Sequence, residues 1–247
     1  MTRVRATPEP ITTAAQPLPK RAFIRQHWRD AVFLHWRVEP GRVAPLLPRG
    51  VRPDEFDGSA WVGLIPFVLE RTTFPPGPAI PRLGTFLETN VRLYSVDEQG
   101  RRGVVFRTLE AQHLLPVLGA NVGLGLPYRW ARMRSQHIGD ELAYASERMT
   151  GTRARTRIRV RPTDDAVHDD PLADFLTARW GMHVGRFGRT AYYRNTHEAW
   201  PLFRAELVDL EDELLADSGL RGLALREPDS VLYSPGVTTR FSLPAPR

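Results

Sequence analysis

Apolar residues recur along this chain mostly at every second position. Alternating runs at 31–38, 60–69, 85–96, 103–112, 142–149, 153–161 and 189–196 predict β-strands, because successive side chains of an extended backbone point to opposite faces. Helical spacing is rarer, at 41–47 (GRVAPLL, after Pro40), 116–133, 171–180 and 210–217. Runs of strands with few helices predict an α+β domain built on antiparallel sheet. Asp169 and Asp170, ahead of Pro171, supply a cap and negative charge for the helix start, and Gly181 reads as its stop. Asp57-Gly58 ahead of an apolar run reads as a hairpin turn.

One run stands apart. In TFLETNVRLYS (85–95), Leu87, Thr89, Val91 and Leu93 share one strand face, while Glu88, Asn90, Arg92 and Tyr94 share the other. An acid, an amide, a guanidinium and a phenol in one row read either as a wet sheet surface or as the wall of a polar pocket. A firm Glu88–Arg92 ion pair would hold the carboxyl pKa low, whereas acid/base catalysis needs it moved toward neutrality.

Composition narrows the choices. The chain has 247 residues with 42% apolar content, enough for a sizeable core, and no cysteine, so disulfides, thiolate metal sites and a Cys nucleophile are excluded. Residues 1–20 are rich in Thr, Ala and Pro and predict a flexible tail, followed by a single domain over 21–247. No apolar run approaches the length of a membrane span and the start lacks a secretory apolar core, so a cytoplasmic protein is expected. The net charge is +6, and of 34 cationic residues only Lys20 is a lysine.

The candidate chemistry is sparse. Arg153, Arg155, Arg157, Arg159 and Arg161 form a basic stripe without interleaved aromatics, so it predicts a solvated face that blunts edge pairing, or an anion-binding face, and no nucleic-acid partner. The seven histidines include no H-E-x-x-H pair, and no metal is called for. Gly119, Gly123 and Gly125 fit neither dinucleotide nor phosphate-loop spacing, there is no G-x-S-x-G elbow, and no cofactor is implied. The pairs Asp164-Asp165 and Asp169-Asp170 lie in turn-like, polar surroundings and read as solvated caps.

The runs FLHWRVEPGRVAPLLPRGV (33–51), FDGSAWVGLIPF (56–67), FLETNVRLY (86–94), LPYRWARM (126–133) and PLADFLTARWGM (171–182) resemble the YqjF-like family of uncharacterised bacterial proteins, over roughly residues 25–243. That family is similar to the acetoacetate decarboxylase-like superfamily. The resemblance implies a closed antiparallel β-barrel flanked by a few helices, with a polar pocket inside. In acetoacetate decarboxylase a lysine after a G-aromatic-P turn forms the Schiff base. The comparable stretch here is 125–129 (GLPYR), where Tyr128 and Arg129 stand in place of lysines. With Lys20 in the predicted tail, imine catalysis from the core is excluded.

The expectation is therefore a barrel that binds a small organic acid or enolisable carbonyl compound, with Glu88 and Tyr128 as candidate catalytic groups. Asn90, Arg92, Arg129, Tyr144, Arg148 and His197 are the candidate ligand-binding groups. The alternatives are a divergent lyase or proton-transfer enzyme, and an interaction protein using the Arg-rich face. A homo-oligomer is left open.

Overall fold

The computed structural model describes residues 6–81, 83–113 and 125–243. Twelve strands make one sheet: β1 (Ala22–Val38), β2 (Val51–Pro53), β3 (Ala60–Thr73), β4 (Phe86–Asp97), β5 (Arg102–Ala111), β6 (Tyr128–Ile138), β7 (Glu141–Arg148), β8 (Arg155–Ala166), β9 (Gly181–Arg186), β10 (Arg189–Thr196), β11 (Phe203–Asp212) and β12 (Ser230–Ser242). The helices among the described residues are short: α1 (Pro40–Val43), α2 (Pro171–Thr177) and α3 (Leu214–Asp217). Strands thus dominate, with few helices, as the alternation predicts.

The sheet order is β10-β9-β5-β6-β7-β8-β11-β12-β1-β3-β4-β2, and β10 also bonds β12 while β5 also bonds β4. These extra pairings turn the order back on itself. Strands β1, β3 and β4 consequently carry protein on both faces. On one face Val32, Leu34, Val62, Leu64, Val91 and Leu93 join a core that also holds Tyr144 and Ile158. On the other, Phe33, Ile65, Phe67 and Phe86 belong to a second cluster, and Trp61 and Tyr94 to a third that includes Phe175 and Leu176 of α2. Strict alternation is what allows one strand to serve two interiors.

The pairing departs from the antiparallel sheet expected from the sequence. Strand β5 runs parallel to β6 and, at Val104–Met182, to β9. Residues 112–127 separate β5 from β6, a stretch long enough for the chain to return to the same end of the sheet.

Several local expectations are corrected. Of the helix predicted at 116–133, residues 116–124 lie outside the described residues, and from Tyr128 onward the chain is strand, paired to β7 from Ala131–Arg148 through Ile138–Glu141. Buried Ala131 and Met133 against exposed Arg132 and Arg134 show the true period to be two. The helix predicted at 210–217 starts only at Leu214, since Leu210 to Asp212 continue β11 against β8. Gly181 opens β9 instead of stopping α2, which ends at Thr177 with the Ala178 N–H bonded to Asp174 O. At the other end of α2, Asp170 Oδ1 accepts from the N–H groups of Leu172 and Ala173, each at 3.0 Å, as a helix cap does. Asp57 and Gly58 both have positive φ (52° and 69°) between the bridged residues Phe56 and Ser59, which is the hairpin turn their sequence announces.

Residues 6–20 contain no helix or strand but touch the body. Glu9 N–H donates to Gly100 O (2.8 Å), and Trp180 Nε1 donates to Thr12 O (2.9 Å). Lys20 is exposed in this segment.

Candidate functional site

A cavity of about 570 Å³ opens on the second face of β1, β3 and β4, and Glu88, Asn90 and Arg92 of β4 line it. Their exposures are 4%, 4% and 8%, so the row is not a wet sheet surface. Opposite them on β3 lie Phe67, Ile65 and Gly63. Gly63 is needed there, because a Cβ would come within 3.0 Å of His35 Nε2. At about 3.3 Å rise per residue, the row runs roughly 13 Å from Arg92 to Glu88.

The Arg92 end is closed by α2. Arg92 Nη2 donates to Leu176 O (2.8 Å) and Nε donates to Tyr94 Oη (3.0 Å); Tyr94 in turn donates to Leu176 O (3.0 Å). His35 Nε2 lies 2.6 Å from Tyr94 Oη. Burial, reinforced by Arg92 and Arg179, holds the His35 pKa well below the ordinary range. A neutral ring donating through Nε2 satisfies Tyr94 and leaves His35 Nδ1 without a partner, as found.

All of Arg92's bonds among the described residues therefore go to neutral oxygens. Arg179, also on the cavity wall, bonds Phe175 O through Nε and Asp54 through Nη1, and its Nη2 has no partner. Arg102 bonds the other oxygen of Asp54. Among the described residues, Arg102 and Arg179 share the single carboxylate of Asp54, and Arg92 bonds none. Arg92 and Arg179 flank one ring, with Cζ 5.3 and 4.8 Å from the Tyr94 centroid. Buried positive charge is left over here, and an anion would neutralise it.

At the other end of the row, Glu88 forms no ion pair with Arg92; its Oε2 accepts from Tyr128 Oη at 2.9 Å. Burial raises the Glu88 carboxyl to about 8, overriding the lowering effect of the tyrosine bond. Burial, then the neighbouring Glu88 charge, raises the Tyr128 phenol well above its usual value. Between them, Asn90 Oδ1 is buried without a partner. Glu88 can thus hold a proton near neutral pH on the same wall as an unpartnered amide oxygen.

The structure brings Glu88, Asn90, Arg92, Tyr128 and His197 to one cavity. His197 packs against Trp180 and Trp200 at ring-centroid distances of 4.4 and 5.3 Å, and burial lowers its pKa to about 4, so it is a neutral wall element. Arg129, Tyr144 and Arg148 do not line it, correcting the sequence expectation. Arg129 follows Tyr128 on β6 and so faces the opposite way, into solvent. Tyr144 packs in the core on the far face of the sheet and donates to Asp30 O (2.7 Å). Arg148 is engaged with Glu110 (Nη2–Oε1 2.7 Å) and Asp217 (Nη1–Oδ2 2.6 Å).

Sequence reasoning missed Arg179 and its partner Asp54. Their ion pair joins positions 125 residues apart, and no local pattern announces it.

The arginine stripe is a different matter. Arg155, Arg157, Arg159 and Arg161 lie on β8, which is interior to the sheet between β7 and β11, so they blunt no edge. Each faces acids on its neighbours: Arg155 pairs with Glu147, Arg157 with Glu211, Arg159 with Glu141, and Arg161 with Asp140, Glu141 and Glu206. Arg153 precedes the strand and also pairs with Glu147. Such exposed pairs contribute little stability individually, but they neutralise the stripe.

Residues 25–238 match the DUF2071 family model, described as an uncharacterised conserved protein. The uncharacterised protein YqjF of Bacillus subtilis (strain 168) is 32% identical over 213 residues, covering 85% of this chain and 86% of that protein. Among solved structures, acetoacetate decarboxylase from Legionella pneumophila superposes with a TM-score of 0.65 at 12% identity, covering 93% of each chain. The enduracididine biosynthesis enzyme MppR, complexed with pyruvate, gives 0.55 at 16% identity, covering 90% of this chain and 88% of its own. At these identities the structural likeness speaks to fold alone.

Proposed function

The chain belongs to the DUF2071 family, and from that premise we propose that it is a small-molecule-binding protein whose cavity receives an organic acid and does not perform Schiff-base decarboxylation. In this reading the sheet is a closed barrel, a view supported by the pairings β4–β5 and β10–β12. The observation that carries the ligand class is the deep end of the cavity, where Arg92 has no carboxylate partner among the described residues and Arg179 keeps Nη2 unbonded. A carboxylate placed between them would accept charge-assisted hydrogen bonds from both. The pyruvate complex of MppR shows a carboxylate ligand accommodated by a similar fold. Imine chemistry lacks its nucleophile, since Lys20, the sole lysine, is exposed ahead of β1.

Hexanoate and hexanamide are suitable probes. Calorimetric titration should show hexanoate bound at least tenfold more tightly than the amide, and Arg92→Met should erase most of that difference, as loss of a hydrogen bond to a charged group does. Equal affinity for the two probes would remove the acid from the proposal.

A second reading, a proton-transfer enzyme, is favoured by Glu88 specifically, because its pKa of about 8 lets it give and take a proton near neutrality. Levulinate in D₂O should then exchange its protons next to the ketone faster with the protein than without it, and Glu88→Gln should return the rate to background by NMR. No acceleration by the native protein would leave binding alone.

A further inference from the structure

The cavity's two ends differ in kind. Beyond Glu88, at the end away from α2, its wall is built from Phe86, Leu69, Trp28 and Phe67, continuing to Phe74 and Leu83 in the connection between β3 and β4. The aromatic part is packed as a continuous surface: Trp28 lies 5.1 Å from Phe67 and 6.0 Å from Trp200, and Phe33 lies 5.0 Å from Trp200, ring centroid to centroid. Phe74 and Leu83 are 53% and 43% exposed, which places apolar side chains where the cavity meets solvent. The strand register sets the sequence of levels. Arg92, Asn90, Glu88 and Phe86 succeed one another on one face of β4, and Phe86 stands opposite Leu69.

We propose that the ligand is an acid with a long apolar body, bound with its carboxylate against Arg92 and Arg179 and its hydrocarbon running past Glu88 and out between Phe74 and Leu83. The proposal rests on the organic-acid reading above and names the substrate class of that site. A short acid such as a two- or three-carbon one would neutralise the arginines but leave the aromatic channel unfilled. A cavity of about 570 Å³ falls in the range that encloses ligands of drug size, corresponding to a chain on the order of ten carbons. Beside the polar row of β4, strands β1 and β3 line the cavity with Ala31, Phe33, Ile65, Phe67 and Leu69, so an apolar body meets matching walls there.

The geometry also locates any chemistry. With the carboxylate at Arg92, the atoms passing Glu88 and Tyr128 lie several bonds along the chain, so a proton exchanged by Glu88 would belong to a carbon that is remote from the acid and activated by a second carbonyl. Asn90 Oδ1, buried without a partner on the same wall, is an acceptor there and would take a hydrogen bond from a ligand hydroxyl or N–H.

The test is a titration of the full chain with butanoate, hexanoate, octanoate and decanoate, read by quenching of Trp28 and Trp200. Dissociation constants should fall about fourfold for each added methylene. The variants Phe74→Asp and Leu83→Asp, both at exposed positions, should abolish the gain between octanoate and decanoate and leave butanoate affinity within twofold. Affinity independent of chain length, with Arg92→Met still weakening every acid, would overturn the long-chain inference while the organic-acid site stood. Chain-length dependence that survives unchanged in Arg92→Met would overturn the orientation proposed and the acid reading with it.

Discussion

Replacing Arg148 with Met should destabilise the protein by about 3–5 kcal/mol in urea unfolding at pH 7, while leaving hexanoate affinity within twofold. Glu110 is fully buried, and its carboxylate accepts from Arg148 Nε and Nη2 and from Thr108 Oγ1. Removing the guanidinium strands that charge in the interior, which is the costly case, because the remaining group has neither water nor a counter-ion. The double variant Arg148→Met, Glu110→Leu should recover most of the loss. A single-variant cost below about 1 kcal/mol would show that Glu110 is already neutral or hydrated.

Arg92→Met is the instructive contrast. No carboxylate depends on Arg92 among the described residues, and Tyr94 can still donate to Leu176 O without it. Its removal should cost only the neutral hydrogen bonds, on the order of 1–2 kcal/mol, while acid binding is lost. The two buried arginines should thus separate: loss of the one paired by carboxylates should cost fold stability, and loss of the one without a carboxylate should cost acid binding.

Local periodicity made much of this legible. The alternation in 85–96 placed Glu88, Asn90 and Arg92 on one face, and it did so because a side-chain period of two is a property of extended backbone, independent of the rest of the fold. Which face was buried could not be read from the strand, since β4 is covered on both sides and its polar face owes its burial to α2, β5 and β12. Arg148 shows the complementary failure. It sits on an alternating strand like Arg92, but its partners Glu110 and Asp217 come from 38 residues before and 69 after, pairings fixed only by the sheet order. Strands β11 and β12 were unread for a related reason: Arg204, Glu206 and Asp209 on β11, and Pro235 and Gly236 on β12, lower intrinsic strand preference, and pairing with β8 and β1 imposes the extended form.

Glu88→Gln should change the pH dependence of stability more than its level. The Glu88 carboxyl is raised from 4.5 to about 8 by burial in the folded protein. Between those values the folded state keeps a proton that the unfolded chain has released, so native stability falls as pH rises through this window. The contribution is complete below about pH 4.5, and the loss by pH 9 is on the order of 5 kcal/mol. Glutamine resembles the protonated acid in shape and cannot ionise. The variant should therefore match the native protein near pH 5 and exceed it increasingly toward pH 9. His197 and the other titrating groups are common to both proteins, so the difference between the two stability curves isolates Glu88. Urea midpoints measured at pH 5, 7 and 9 suffice. Parallel curves, separated by a constant amount, would mean that Glu88 ionises as a solvated carboxyl does. In that case the proton-transfer reading would lose its donor, whereas the carboxylate site at Arg92 and Arg179, which does not depend on Glu88, would remain.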